Sequence, residues 1–198
     1  MLRNESGGEL PSGYRKVNCI SIPLGGYIIT DVNVVIGDVV TADARLDSDL
    51  SLNSVNSIYA GFVSNADMTV FALERNSRPY AQYNRRYSYI GSNDNLRHKT
   101  ILDTSNNLLK FDDLQTGINC TGDTTAKIGL SCRITNGITA DRKTATTFWE
   151  FSVLNGGTYR YNYVPCEQIS SGLFGMYDVV NDTFHGNSGT GVITEGVE

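Results

Sequence analysis

Apolar and polar residues alternate along most of this chain with a period of two, which is typical of β-strands. Residues 17–22 alternate in this way, and residues 32–46 are rich in β-branched side chains, which favours a long strand. Residues 80–90 are predicted to form one further strand. No segment keeps a helical period, and a single helical turn is considered only around residues 112–115.

Turn residues divide the chain at short, regular intervals. Residues 99–103 and 108–111 are predicted to pair as a hairpin with Asn106 and Asn107 at its tip. The last quarter contains further hairpin strands, a strand end marked by Pro165, and turns marked by glycine. Many short strands with regular turns predict an all-β sandwich or jelly roll.

The chain has 198 residues, which is the size of one domain. We expect a flexible N-terminal arm at residues 1–9, or an arm that becomes ordered on a partner, followed by one domain at residues 10–198. The formal net charge is −5 and no basic stripe occurs, which argues against binding to nucleic acid. No apolar run is long enough for a membrane span, and the first residues contain no apolar core of a signal peptide.

The four cysteines show no spacing that is typical of a metal site or a catalytic thiol. They are Cys19, Cys120, Cys132 and Cys166. We predict that they are free thiols that pack as small apolar side chains.

Three segments before the last quarter carry a family resemblance. Leu10-Pro11-Ser12-Gly13-Tyr14 precedes a strand, and Tyr27-Ile28-Ile29-Thr30 follows a short glycine turn. Arg97-His98-Lys99-Thr100-Ile101 then stands before the predicted hairpin.

The closing segment extends this resemblance to the end of the chain. The matching positions are Asn155, Gly156, Pro165, Cys166, Gly175, Tyr177, Asp178, Val180, Asn181, Phe184, Asn187, Gly189 and Gly191. In this order and spacing the chain resembles the concanavalin A-like, laminin-G-type jelly-roll modules encoded by bacteriophages and prophages of gut bacteria. The chain departs from the family at Tyr161-Asn162-Tyr163, where the family usually has Arg-Asp-Phe.

The resemblance implies a concanavalin A-like jelly-roll β-sandwich that serves as a structural or decoration protein of a phage virion, on a capsid, head fibre or tail. Such a protein is made in the host cytoplasm. It would dock on other virion proteins through its N-terminal arm and edge strands, in a multimeric setting. It could also bind cell-surface or mucus glycans. The alternative is a stand-alone bacterial glycan-binding adhesin, and a glycoside-active enzyme is the weakest hypothesis.

The residues themselves argue against an enzyme. Jelly-roll glycosidases place paired carboxylates on one strand face, whereas Glu150 stands two residues from Ser152 and is predicted to point outward. Asp112 and Asp113 are adjacent and would point to opposite faces of a strand. No nucleophile elbow or phosphate loop occurs, and no cofactor is implied.

A glycan site has one candidate strand. Tyr83, Arg85, Tyr87 and Tyr89 alternate, so on a straight strand they share one face. This face is either a glycan platform or an inner core layer or protein-contact surface, and aromatic stripes on strands are more often packing.

Other aromatic and acidic residues are interpreted as structural. Trp149 has apolar neighbours, which predicts a core position, and the alternating Tyr159, Tyr161 and Tyr163 are also interpreted as packing. Two acid-rich loops, at residues 47–49 and 119–123, are considered for structural calcium. Neither matches the twelve-residue calcium loop, so solvated loops are the default interpretation.

Overall fold

The computed structural model describes residues 9–47, 56–63, 66–74, 78–83, 86–91, 95–136, 139–141 and 143–198, and these residues form nineteen strands and no helix. This confirms the predicted all-β class. The predicted arm lies outside the described residues except for Glu9. The described part of the chain contains no helix that could cross a membrane.

The first ten strands are β1 (Tyr14–Lys16), β2 (Ile20–Ile22), β3 (Ile28–Ile29), β4 (Asp38–Leu46), β5 (Asn56–Val63), β6 (Ala66–Glu74), β7 (Arg78–Tyr83), β8 (Arg86–Tyr89), β9 (Arg97–Asp103) and β10 (Leu108–Phe111). The other nine are β11 (Leu114–Gly117), β12 (Gly129–Leu130), β13 (Cys132–Thr135), β14 (Thr139–Asp141), β15 (Thr146–Asn155), β16 (Thr158–Gln168), β17 (Leu173–Asp178), β18 (Thr183–His185) and β19 (Thr194–Glu195).

The strands form two large sheets. The 11-stranded sheet has the order β11-β10-β9-β4-β15-β16-β17-β18, with β1 beside β16, β2 beside β15 and β19 beside β2. The 8-stranded sheet has the order β14-β13-β5-β6-β7-β8, and β12 joins β3 to β5. The β13–β5 pair is parallel, and the other described pairs are antiparallel.

One hydrophobic core draws side chains from both sheets, as expected for a β-sandwich. Ile20 and Leu102 of the larger sheet and Ile28 and Tyr83 of the smaller sheet have no exposed surface and belong to one cluster. The outer face of the larger sheet is the side that points away from this core.

Several predicted elements are confirmed and others are wrong. Strands β9 and β10 form the predicted hairpin, and Asn107 at its tip has the left-handed φ of 54° that asparagine tolerates well. Residues 112–115 form no helical turn, because Asp112 has φ of 50° and the chain reverses into β11.

The long strand predicted at residues 32–46 begins only at Asp38. Val32 and Val34 lie in a loop and are fully buried, so their β-branched side chains reflect core packing rather than a strand. The loop is held by Asp38, whose Oδ2 accepts a hydrogen bond from the Val35 amide at 2.9 Å. A side-chain contact of this kind replaces a strand partner for the buried backbone.

Candidate functional site

A groove of about 390 Å³ lies on the outer face of the larger sheet. It is called here the Trp149 groove. Its lining residues are Arg45, Asn95, Leu96, Arg97, Trp149 and Glu198. Arg45 stands between Ala44 and Leu46, which both belong to the core, so strand alternation directs its side chain away from the core.

A β-bulge turns Trp149 toward this groove. Phe148 pairs with Ala44 and Glu150 pairs with Asp43, so Trp149 is the extra residue of β15. Such a bulge redirects a side chain without breaking the strand. The predicted core position of Trp149 is therefore wrong, because the bulge keeps Phe148 inside and places the indole at the groove wall.

Two arginines lie over the indole ring. The guanidinium carbon of Arg97 is 4.5 Å from the ring centroid of Trp149, and that of Arg45 is 5.6 Å away. Arg45 and Arg97 are also directly opposite each other in the β4–β9 pair. Like charges in this position repel, and the aromatic ring offsets part of that cost through cation–π attraction.

Carboxylates hold both arginines in place. Asp43 accepts hydrogen bonds from Nε and Nη2 of Arg97, both at 2.7 Å. Asp47 accepts from Nε of Arg45 at 2.6 Å. The hydrogen-bonded carboxylate of Asp43 raises the pKa of Arg97, so this side chain stays cationic. The result is a pair of fixed guanidinium groups on a rigid strand surface.

The indole also brings a polar atom to this region. Nε1 of Trp149 is buried, and it has no hydrogen-bond partner among the described residues. A buried N–H donor without a partner is uncommon in a protein and often marks a place where water or a ligand binds. The sequence offered no local signal for this site, since about fifty residues separate each of Arg45, Arg97 and Trp149 from the next.

Of the four predicted glycan-binding residues, the structure places Tyr83 and Tyr89 on different faces. Strand β7 ends at Tyr83 and β8 begins at Arg86, and the two strands pair with Tyr80 opposite Tyr89. The single strand predicted at residues 80–90 is therefore wrong. Because Tyr83 is three residues from Tyr80, it lies on the other face of this strand pair from Tyr89.

The side chains of Tyr83 and Tyr89 also differ in exposure. Tyr83 is fully buried, and its hydroxyl donates a hydrogen bond of 2.7 Å to the Gly122 carbonyl. Burial raises the pKa of Tyr83. Tyr89 is 38% exposed, with its ring 5.7 Å from that of Tyr80. Arg85 lies outside the described residues, and for Tyr87 only the backbone is described, opposite Gln82.

The acidic loops considered for calcium supply structural contacts. Asp47 accepts hydrogen bonds from Arg45 and from the Thr147 hydroxyl, and Asp123 accepts one from the Ile36 amide at 2.7 Å. Asp49 lies outside the described residues. Among the described residues, no three His, Cys, Asp or Glu side chains are grouped to hold a metal ion.

Polar residues of the closing motif form hydrogen bonds that stabilise the fold. Asp178 is 1% exposed, and its Oδ1 accepts hydrogen bonds from the amides of Asn162 and Val180 at 3.0 and 3.1 Å. Asn187 accepts from the Tyr27 amide and donates to the Gly191 carbonyl. These polar side chains therefore bind the chain's own backbone.

Comparison with known proteins assigns no family. No protein-family model and no curated protein matches the chain. Among solved structures, the chain is similar to an uncharacterized protein from Mycobacterium paratuberculosis, an Rv0315 ortholog, with a TM-score of 0.38 and 9% sequence identity. The match covers 69% of this chain and 80% of that chain. A likeness at this level carries no argument about function.

Proposed function

We propose that this protein is a structural component of a bacteriophage virion whose lectin-like jelly roll binds carbohydrate and does not act as an enzyme. The virion assignment rests on the resemblance of the motifs to phage jelly-roll modules. The observation that carries the binding function is the Trp149 groove, which presents an aromatic ring and two fixed cations on the outer face of a rigid sheet.

The contacts of the closing motif support the use of the resemblance. Asp178 and Asn187, two of its polar residues, each join separate segments of the chain by hydrogen bonds. A Cβ at Gly175 would lie 2.4 Å from the His185 carbonyl oxygen, so this glycine permits close approach of β17 and β18. Residues that hold the chain together in this way are the ones that proteins with the same fold are expected to have in common.

The carboxylates on the outer sheet face favour binding over glycoside hydrolysis. Asp43 and Glu150 are opposite each other in the β4–β15 pair. Hydrolysis requires one carboxylic acid that donates a proton. Here Asp43 accepts two hydrogen bonds from Arg97, and Glu150 accepts from Lys99 and Ser152, so both act as acceptors.

Edge strands offer a route to assembly with other virion proteins. In the described part of the larger sheet, β11 and β18 end the main strand order, and Leu114 of β11 is 53% exposed. Exposed edges pair readily with other strands. We propose that these edges and the N-terminal arm contact neighbouring virion proteins in a multimeric assembly.

Two experiments test this proposal. Mass spectrometry of purified virions should detect the chain in a constant ratio to a known capsid or tail protein, and its absence would reject the virion assignment. A glycan array with the purified protein should give specific hits. An array without hits would reject carbohydrate binding while leaving the virion assignment standing.

A stand-alone adhesin is the second candidate. The same groove favours it, because the groove needs no virion partner to bind a sugar. Specific array hits combined with absence from virions would support the adhesin over the virion component.

A further inference from the structure

We propose that the Trp149 groove binds the carboxylate of an acidic saccharide, a uronic or sialic acid, through the outer ends of Arg45 and Arg97. This inference rests on the proposed carbohydrate-binding function and gives it a ligand class. It is carried by the hydrogen-bonding state of the two guanidinium groups.

Each arginine keeps donors for a ligand. A guanidinium carries five N–H donors. Internal acceptors engage Nε and Nη2 of Arg97, through Asp43, and Nε and Nη2 of Arg45. Among the described residues, no hydrogen bond uses Nη1 of either arginine. Planar guanidinium donors match a carboxylate in both geometry and charge.

The two arginines are already ordered. Their carboxylate partners and the Trp149 ring restrict the long side chains, which therefore lose little rotamer freedom when a ligand binds. Strands β4, β9 and β15 supply Arg45, Arg97 and Trp149, so both cations and the aromatic ring stand on paired strands.

Apolar surface beside the cations favours a sugar over a small inorganic anion. Leu96 is 61% exposed at the groove, next to Arg97, and can contact the C–H face of a sugar ring. The volume of about 390 Å³ is within the range of small-molecule sites.

Replacing Glu198 should change the binding affinity in the opposite direction from replacing either arginine. Glu198 lines the same groove, and its Oε1 accepts a hydrogen bond of 3.2 Å from the side-chain Nδ2 of Asn18. A carboxylate at this position repels the carboxylate of a ligand. Replacing Glu198 by Gln should therefore tighten binding, whereas loss of either arginine should weaken it.

The experiment is a titration followed by intrinsic fluorescence, since Trp149 is the only tryptophan and lies in the groove. Trigalacturonic acid is compared with its methyl ester, and sialyllactose with lactose, so that each acid has a neutral partner. We expect at least one acid to bind about tenfold or more tightly than its neutral partner, as charge-assisted hydrogen bonds predict. The two acids distinguish a uronic from a sialic source.

Variants locate the site. Arg97→Gln and Arg45→Gln should each weaken binding of the preferred acid by about tenfold or more. Glu198→Gln should strengthen it. Arg15→Gln is the matched control, because Arg15 is an exposed arginine that pairs with Glu167 and Glu195 outside the groove, and it should leave binding unchanged.

Equal affinity for both acids and their neutral partners would overturn the proposal, as would unchanged affinity in Arg97→Gln and Arg45→Gln. If Arg97→Gln fails to fold because Asp43 loses its partner, Glu198→Gln decides the question: tighter binding supports the site and unchanged binding overturns it. Array hits limited to neutral glycans would overturn this ligand class and leave carbohydrate binding itself intact.

Discussion

Arg160 donates a hydrogen bond from Nη1 to Oδ2 of Asp38, a carboxylate with no exposed surface. The same carboxylate accepts from the Val35 amide and from Nδ2 of Asn155, both at 2.9 Å. Asp38 therefore joins the buried loop before β4 to the region where β15 and β16 meet. The arginine is the only cation paired with this buried charge among the described residues.

Removing this cation should destabilise the fold. Arg160→Leu leaves the Asp38 carboxylate buried without its counter-charge, and we expect a loss of roughly 2–4 kcal/mol in the free energy of unfolding. Urea denaturation monitored by circular dichroism measures this loss. Arg15→Gln is the control, since its ion pairs are exposed, and its urea midpoint should stay at the wild-type value. An unchanged midpoint for Arg160→Leu would contradict the structural role.

Gly175 should tolerate no side chain. Its Cβ would lie 2.4 Å from the His185 carbonyl oxygen and 2.8 Å from the Phe184 ring. Gly175→Ala is expected to cost about 1–3 kcal/mol by forcing β17 and β18 apart. Gly117→Ala is the matched control, because among the described residues beyond its two chain neighbours no atom lies within 4 Å of the added Cβ, and the change in stability should stay within about 0.5 kcal/mol. Equal stability of both variants in thermal unfolding would refute the close approach.

Asp178 should be required as a hydrogen-bond acceptor. Asp178→Ala leaves the Asn162 and Val180 amides without this partner and should cost about 2–3 kcal/mol. Asp178→Asn keeps an acceptor oxygen, so the free energy of unfolding should fall by less than in Asp178→Ala. Amide hydrogen exchange at Asn162 should accelerate more in the alanine variant than in the asparagine variant. Equal acceleration in the two variants, which both lack the carboxylate charge, would show that the charge rather than the acceptor oxygen matters at this position.

Tyr83 should affect stability and not binding. Tyr83→Phe removes the hydroxyl that donates to the Gly122 carbonyl, and we expect a loss of about 1 kcal/mol. The affinity for an acidic saccharide should be unchanged, because the side chain is fully buried. A large loss of saccharide affinity without a loss of stability would instead support a glycan site at Tyr83, as the sequence pattern of alternating tyrosines predicted.

The buried thiols should be unreactive at neutral pH. Burial raises the pKa of Cys120 to about 11 and that of Cys166 to about 12, from an ordinary value of 9.0. At pH 8 the native protein should react with a thiol reagent about 100-fold or more slowly than the urea-unfolded chain, since only the thiolate reacts. Fast reaction of the native protein would contradict the predicted packing.

Because burial raises the pKa of these thiols, we expect the free energy of unfolding to fall at alkaline pH. The unfolded chain releases its thiol protons near pH 9, and the folded chain keeps them until about pH 11 at Cys120. The unfolded state then binds fewer protons, so the free energy of unfolding falls as pH rises from 9 to 11. Cys120→Ala should flatten this fall in urea unfolding measured at several pH values. An equal slope in the variant would exclude Cys120 as the cause.

Local sequence patterns were sufficient to predict the elements whose contacting residues are close together in the chain. The hairpin of β9 and β10 follows from two short strands and an Asn-Asn tip that accepts a left-handed φ. The outward position of Glu150 follows from alternation, and its side chain is 38% exposed. Alternation failed at residues 80–90, because a period of two cannot show whether the chain reverses direction within the run.

By itself, the sequence determined the all-β class, the hairpin of β9 and β10, and the closing motif that supports the family resemblance. Tertiary structure alone decided the candidate site. Strand register sets Arg45 opposite Arg97, and a bulge, which depends on the partner strand, turns Trp149 out of the core to meet them. The physical reason is that register and bulges arise from pairing between distant segments, and no local pattern of apolar and polar residues records that pairing.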